Sequence, residues 1–249
     1  MSIQPKSILD NLIAQLSAYL HNNEKPDDFT LRRFKIEAEK LKVVSRAESA
    51  MAKGIIAGLE RNLQECKKQH DLSLILNDDP DNDHVFYQNY ALSLNRLGQN
   101  KDAYHFIKMV IDSHPHVPIV ICLCIDIAFY AGYPEKALKY YDDLIKLDIS
   151  NIPSTVEKCI YEAKIMTSMR FEDEIISKFS LIVEEIYSKN NVSPMNSSLH
   201  KVDDELFQWI ETTADVDTTV DMNFELAEKV SERDDLILSG FNVVFRAHQ

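Results

Sequence analysis

HVFYQNYALSLNRLGQNKDAYHFIKMVIDSHPHV (residues 84–117) and PIVICLCIDIAFYAGYPEKALKYYDDLIKLDISN (residues 118–151) follow one another directly and repeat each other at a spacing of 34 residues. Laid one on the other, Gly98 falls on Gly132, Ala103 on Ala137, Tyr90-Ala91 on Cys124-Ile125, Ile107 on Tyr141 and Ile111 on Ile145. A 34-residue period with a Gly in mid-repeat and an Ala five residues later is the mark of a repeating pair of helices. The period predicts helices over 84–97, 100–113, 118–131 and 134–147. Gly98 and Gly132 sit where each hairpin turns, because Gly accepts the left-handed conformation at little cost. Ala103 and Ala137 lie where a small side chain lets two helices meet. Pro115 closes the first repeat, Pro118 opens the second at a first-turn position that tolerates it, and Asn151-Ile152-Pro153 ends it.

Working toward the N-terminus, Ile8, Leu9, Leu12, Ile13, Leu16, Tyr19 and Leu20 recur at helical spacing behind a Ser7…Asp10 cap pattern. His21-Asn22-Asn23 ends that helix. Residues 28–43 carry the stripe Leu31, Phe34, Ala38 and Leu41 of a second helix. Ser45 with Glu48 opens a third, expected to run to about His70. Its Ala47, Ala50, Gly54 and Gly58 give a small-residue face that another helix can approach closely. Asn77 to Asp83 is an acidic turn cluster without the Gly and closing Glu of a calcium loop.

Working toward the C-terminus, residues 153–168 and 172–189 read as a third, degenerate helix pair that caps the stack. Residues 189–201 are polar, carry Pro194 and read as a loop. Residues 203–211 read as a short helix containing Trp209, the only tryptophan. Val216, Thr218 and Val220 alternate in a strand-like way, residues 223–230 are helical in pattern, and Phe241, Val243 and Phe245 alternate again. This predicts a small strand–helix–strand appendix, the alternative being a last helix interrupted at Gly240. The expected fold is mostly α: an α-solenoid of paired antiparallel helices with a small α/β C-terminal appendix. Its organisation is an N-terminal helical region (1–76), the repeats (84–189) and an acidic appendix (200–249).

The chain has 249 residues, 45% of them apolar, with five Gly and eight Pro, a composition that suits long helices joined by short turns. No apolar run approaches the ~20 residues needed to cross a bilayer, and the N-terminus lacks the apolar stretch of a signal peptide. A cytoplasmic protein is expected. Cys66, Cys122, Cys124 and Cys159 fall within predicted helices without a CxxC and read as ordinary thiols; Cys66 and His70 alone do not make a metal site.

The net charge of −13 is unevenly placed. Residues 1–80 hold 12 acidic and 12 basic side chains, whereas residues 196–249 hold 12 acidic and 4 basic. Such a surface argues against nucleic-acid binding through the C-terminal part and suits a basic partner drawn in at long range. A nucleic-acid role would have to use Arg32, Arg33, Lys35, Lys40, Lys42 and Arg46, which are interleaved with Glu37 and Glu39.

With Tyr87, Tyr90-Ala91, Gly98, Ala103, Val110 and Pro115 in the first repeat, and Cys124-Ile125, Gly132, Ala137 and Leu144 in the second, the chain resembles the tetratricopeptide repeat family. The likeness covers residues 84–151 well and 152–189 loosely. It implies a groove, lined by the first helix of each pair, that takes an extended peptide or a partner helix. Carried onto this chain, the groove residues are Gln88, Leu92, Asn95 and Arg96, then Cys122, Asp126, Phe129 and Tyr130. Only Asn95 and Arg96 suit a carboxylate clamp, and Asp126 opposes them, so a partner with apolar anchors fits better.

No phosphate-binding loop, dinucleotide fingerprint, nucleophile elbow or HExxH occurs. His114-Pro115-His116 falls at an inter-repeat turn, and the carboxylate runs at 172–174 and 203–205 fall at expected helix starts, where the helix dipole accounts for them. The sequence therefore predicts a protein that binds another protein or peptide, with no catalytic residues, no cofactor, no metal and no membrane. The alternative is a neutralising protein (an immunity protein, antitoxin or secretion chaperone) capping a basic toxin or effector. Self-assembly through the repeats is the third expectation.

Overall fold

The computed structural model describes residues 5–21, 26–147, 151–237 and 239–248, with side chains from Asn11 onward except that of His21. The predicted Ser7…Asp10 cap and the stop at His21-Asn22-Asn23 lie outside the described side chains. The chain is mostly helical, with a small C-terminal sheet, and divides into two compact units, Met1–Leu97 and Gly98–Gln249.

The first unit holds α1 (Pro5–His21), α2 (Asp28–Leu41), α3 (Arg46–Leu59), α4 (Leu63–Leu76), a 3-10 turn (Pro80–Asn82) and α5 (Asp83–Arg96). α3 is its centre: it packs against α1, α2, α4 and α5, and eleven of its fourteen residues are buried. The small-residue stripe makes this crowding feasible. A Cβ on Gly54 would lie 2.6 Å from the His70 ring of α4, and one on Gly58 would lie 3.2 Å from Ser93 Cβ of α5. His70 stacks on Tyr90 with ring centroids 4.6 Å apart and shares a hydrogen bond of 3.0 Å between Nε2 and Ser93 Oγ. Burial pushes its pKa down to about 3, so the imidazole is neutral.

The expected single helix from Ser45 to about His70 is two helices. Arg61 adopts φ +60°, which breaks the helix, and Asn62 caps α4 by accepting the Glu65 N–H at 3.1 Å. Folding α4 back onto α3 is what buries the glycine stripe. Cys66 and His70 are both fully buried, and among the described residues no third ligand joins them.

The second unit holds α6 (Asn100–Ser113), α7 (Pro118–Tyr130), α8 (Pro134–Ile145), α9 (Ser154–Ser168) and α10 (Asp173–Asn190). Then come β1 (Pro194–Val202), β2 (Glu205–Thr212), α11 (Val216–Ser231), α12 (Asp234–Ile237) and β3 (Phe241–Ala247). From α6 to α9 each helix packs on the next, α7 also packs on α9, and α10 lies across α6 and α8. Gly98 and Gly132 both have positive φ (+74° and +80°), as their turn position requires.

The sheet runs β1-β2-β3, with β1 and β2 antiparallel and β2 and β3 parallel. The parallel pair is joined through α11, the long crossover that such a pair needs. Both sheet edges are covered by helix side chains. On β1, Lys158 Nζ donates to the Ser197 carbonyl and the Glu162 carboxylate accepts the Leu199 N–H. On β3, the Asn223 side chain donates to the Phe245 carbonyl and accepts the Phe245 N–H, both at 2.9 Å.

Three C-terminal expectations are corrected. Residues 194–202 form a strand rather than a loop, and 205–212 form β2 rather than a helix, with Asp203 at φ +52° turning the hairpin between them. The alternating Val216, Thr218 and Val220 begin α11, because Asp215 accepts the Thr218 N–H at 2.8 Å and starts a helix there. The appendix is thus strand–strand–helix–helix–strand, and the alternative of a single helix interrupted at Gly240 is not what forms.

Candidate functional site

The expected groove residues fall on two helices in different units. On α5, Gln88 and Asn95 are half-exposed while Leu92 and Arg96 are buried. Arg96 Nη1 donates to the Tyr19 carbonyl at 3.2 Å, satisfying an orphan acceptor in the last turn of α1. Burial, with Arg61 nearby, pushes its guanidinium down to about 10. Arg96 therefore braces α1 against α5.

On α7, Cys122 and Phe129 are buried and Asp126 and Tyr130 are half-buried. Phe129 meets Tyr130 edge to face, with centroids 5.3 Å apart, so truncating Phe129 opens the core rather than removing a surface contact. Asp126 accepts the Cys159 thiol at 3.4 Å. Burial raises the Tyr130 phenol well above its usual range, with Cys159, Asp126 and Glu162 adding to it. α7 and α9 together thus gather Asp126, Tyr130, Cys159 and Glu162, the last also serving the β1 edge.

A second cluster, absent from the sequence expectations, lies where α10 crosses α6 and α8. Neither α6 nor α8 has a side-chain cap of its own, since Gln99 and Tyr133 stand at their N-cap positions. α10 supplies both caps. Glu184 accepts the Lys101 N–H at 2.9 Å, and Asp173 accepts the Glu135 N–H at 2.8 Å. The two carboxylates lie eleven residues apart, or three turns of one helix. Each sits where unsatisfied N–H groups and the dipole favour a negative charge.

Between these caps, Lys101 Nζ lies 4.1 Å and Lys136 Nζ 3.6 Å from the centre of the Tyr133 ring. Tyr104 and Tyr140 share a hydroxyl–hydroxyl hydrogen bond of 3.2 Å beside them. Burial pushes Lys101 down to about 8, with the Glu184 charge opposing and Lys136 reinforcing. The ring face attracts both ammonium groups, and their charge is opposed by the Glu184 and Asp173 carboxylates of the caps. The sequence signal that could have found this cluster is the pair of capless starts at Gln99 and Tyr133, which demand acceptors from elsewhere.

Burial raises Glu184 to about 7, despite the backbone N–H bonds and Lys101 that pull it down. Its folded pKa exceeds the unfolded value, so its contribution to stability is complete below about pH 4.5 and is lost as pH rises through about 7. Replacing Glu184 by Gln keeps an acceptor for the Lys101 N–H and removes the titration. The variant is expected to gain on the wild type, by up to about 3 kcal/mol, between about pH 5 and pH 8 in urea titrations. Parallel profiles for the two proteins would show that Glu184 is not the titrating cap.

No protein-family model, no curated protein and no solved structure matches the chain. Among the described residues no helix is long and apolar enough to cross a membrane.

Proposed function

We propose that this chain is a cytoplasmic protein-interaction module, built on TPR-like stacked helix pairs, that binds a partner protein or peptide and carries out no catalysis of its own. The observation that supports this reading is that the 34-residue period recurs in conformation as well as in sequence. Gly98 and Gly132 share a left-handed backbone, Ala103 and Ala137 are both fully buried, and both following helices are capped by α10. Repeats of this kind work by presenting side chains from a rigid frame.

Gln88 and Asn95 are the groove candidates on α5 that keep exposed surface. The Gln88→Ala, Asn95→Ala double variant is expected to lose, by about tenfold or more, a partner that the wild type captures from native lysate. Its far-UV circular dichroism stays native. Equal capture by both proteins would remove the α5 face from the binding surface.

The runner-up is the neutraliser that caps a basic toxin or effector. It is favoured by the 12 acidic against 4 basic residues of 196–249, several of them exposed on α11. A complex of that kind weakens steeply with salt. A salt-insensitive complex with a neutral partner would leave the first reading alone.

A further inference from the structure

Two helices carry apolar side chains on the face opposite to their buried one. α2 buries Leu31, Phe34, Ala38 and Leu41 and turns Phe29, Ile36, Arg32, Arg33 and Lys40 outward. Phe29 is 78% exposed, and Val43 and Val44 extend the apolar run past the end of the helix. α11 buries Thr219, Met222 and Leu226 and turns out Val216, Val220 and Phe224, the last 72% exposed. Asp217, Asp221 and Glu228 line one side of that stripe, all exposed. Among the described residues no salt bridge engages Arg32, Lys40, Asp217, Asp221 or Glu228.

We propose that the chain associates head to tail, the outer face of α11 of one copy seated on the outer face of α2 of another. The apolar stripes have the same reach. Phe29 to Ile36 spans about 10 Å of helix and Val216 to Phe224 about 12 Å. Their flanking charges are opposite in balance: on α2 the exposed Arg32, Arg33 and Lys40 outnumber Asp28 and Glu39, whereas Asp217, Asp221 and Glu228 of α11 are all carboxylates. Pairing α2 with α2, or α11 with α11, would set like charges against each other, so the complementary arrangement is the heterologous one. An anionic lipid surface would cover α2 alone and would repel α11, whereas a second copy covers both. Two single-helix faces bury an area at the low end of specific interfaces, so the association is reversible and concentration-dependent. This surface is separate from the groove proposed above, and its test does not depend on that reading.

Sedimentation velocity of the full chain over about two decades of concentration tests the proposal. The wild type is expected to sediment faster as concentration rises, and to lose this in high salt. Phe29→Asp and Phe224→Asp each remain monomeric, with native circular dichroism because neither side chain is in the core. Mixed together, the two variants form a one-to-one dimer and nothing larger, since each retains the face the other lacks. A wild type that stays monomeric at every concentration overturns the proposal. So does association that survives either substitution, or a mixture that fails to dimerise. Binding of a monomeric wild type to phosphatidylserine vesicles, abolished by Phe29→Asp, would overturn it in favour of a lipid surface.

Discussion

Replacing Gly132 by Ala is expected to destabilise the second unit by about 3 kcal/mol or more, the sum of a backbone effect, overpacking and two weakened caps. Gly132 has φ +80°, where an L side chain costs about 1 to 2 kcal/mol. The added Cβ would also lie 2.6 Å from Ser180 Oγ, 2.7 Å from the Ile176 carbonyl oxygen and 2.7 Å from Ser177 Cα. The serine hydroxyl can rotate away, but the other two are backbone atoms of α10 and move only with the helix. Displacing α10 pulls Asp173 from the start of α8 and Glu184 from the start of α6, so overpacking of about 1 to 3 kcal/mol is joined by loss of both caps. The measurement is the urea midpoint followed by circular dichroism. A loss below about 1 kcal/mol would mean that α10 is not seated on the Gly132 turn.

What could be read from the sequence follows from how local each signal is. The helices from α5 to α10 begin and end within a residue or two of the expected bounds, because their glycines, prolines and apolar spacing act within a few residues. The seat of α10 was not legible. Asp173 reads naturally as a carboxylate at the start of its own helix, yet its oxygen accepts an N–H 38 residues away, and Glu184 reaches 83 residues back. The break between α3 and α4 carries no Gly or Pro. Its only local mark is Asn62 with Glu65 three residues on, which is weaker than the helical period running through it.

The groove candidates show a second limit. Gln88, Leu92, Asn95 and Arg96, like Cys122, Asp126, Phe129 and Tyr130, follow the i, i+4, i+7, i+8 spacing of one helix face. That spacing says which residues share a face and nothing about what covers it. Leu92, Arg96, Cys122 and Phe129 proved to be buried, and Arg96 is held by the Tyr19 carbonyl. The misread strands have a related cause. β1 is polar on most of its length, and its outer edge is served by Lys158 and Glu162 of α9 rather than by another strand. Its hairpin turns through Asp203-Asp204 without the Asn-Gly or Asp-Gly that would announce it.

The anchor of that sheet is Phe241, and its truncation to Ala is expected to remove about 3 to 5 kcal/mol from the docking of the sheet. Phe241 is 2% exposed and opens β3, opposite Leu206 of β2. Its ring meets Phe179 of α10 edge-on at 5.1 Å and Phe171, in the turn before α10, at 5.7 Å. Gly240, at φ +73°, aims its carbonyl at the Leu206 N–H, 2.9 Å away, so the backbone at this point is fixed from both sides and does not collapse into the space the ring leaves. The loss falls on the sheet before the helices, because α6 to α9 pack without Phe241. Trp209 separates the two events: it lies on β2, with the Arg246 guanidinium 4.5 Å from its ring and His200 at 4.7 Å. In urea the Phe241→Ala protein should lose its native tryptophan fluorescence at lower denaturant than its helical circular dichroism, and both should precede the wild-type transition. If fluorescence and circular dichroism fall together at an unchanged midpoint, Phe171 and Phe179 have closed over the gap, and the sheet is held by Phe245 and Tyr187 instead, whose rings lie 5.7 Å apart.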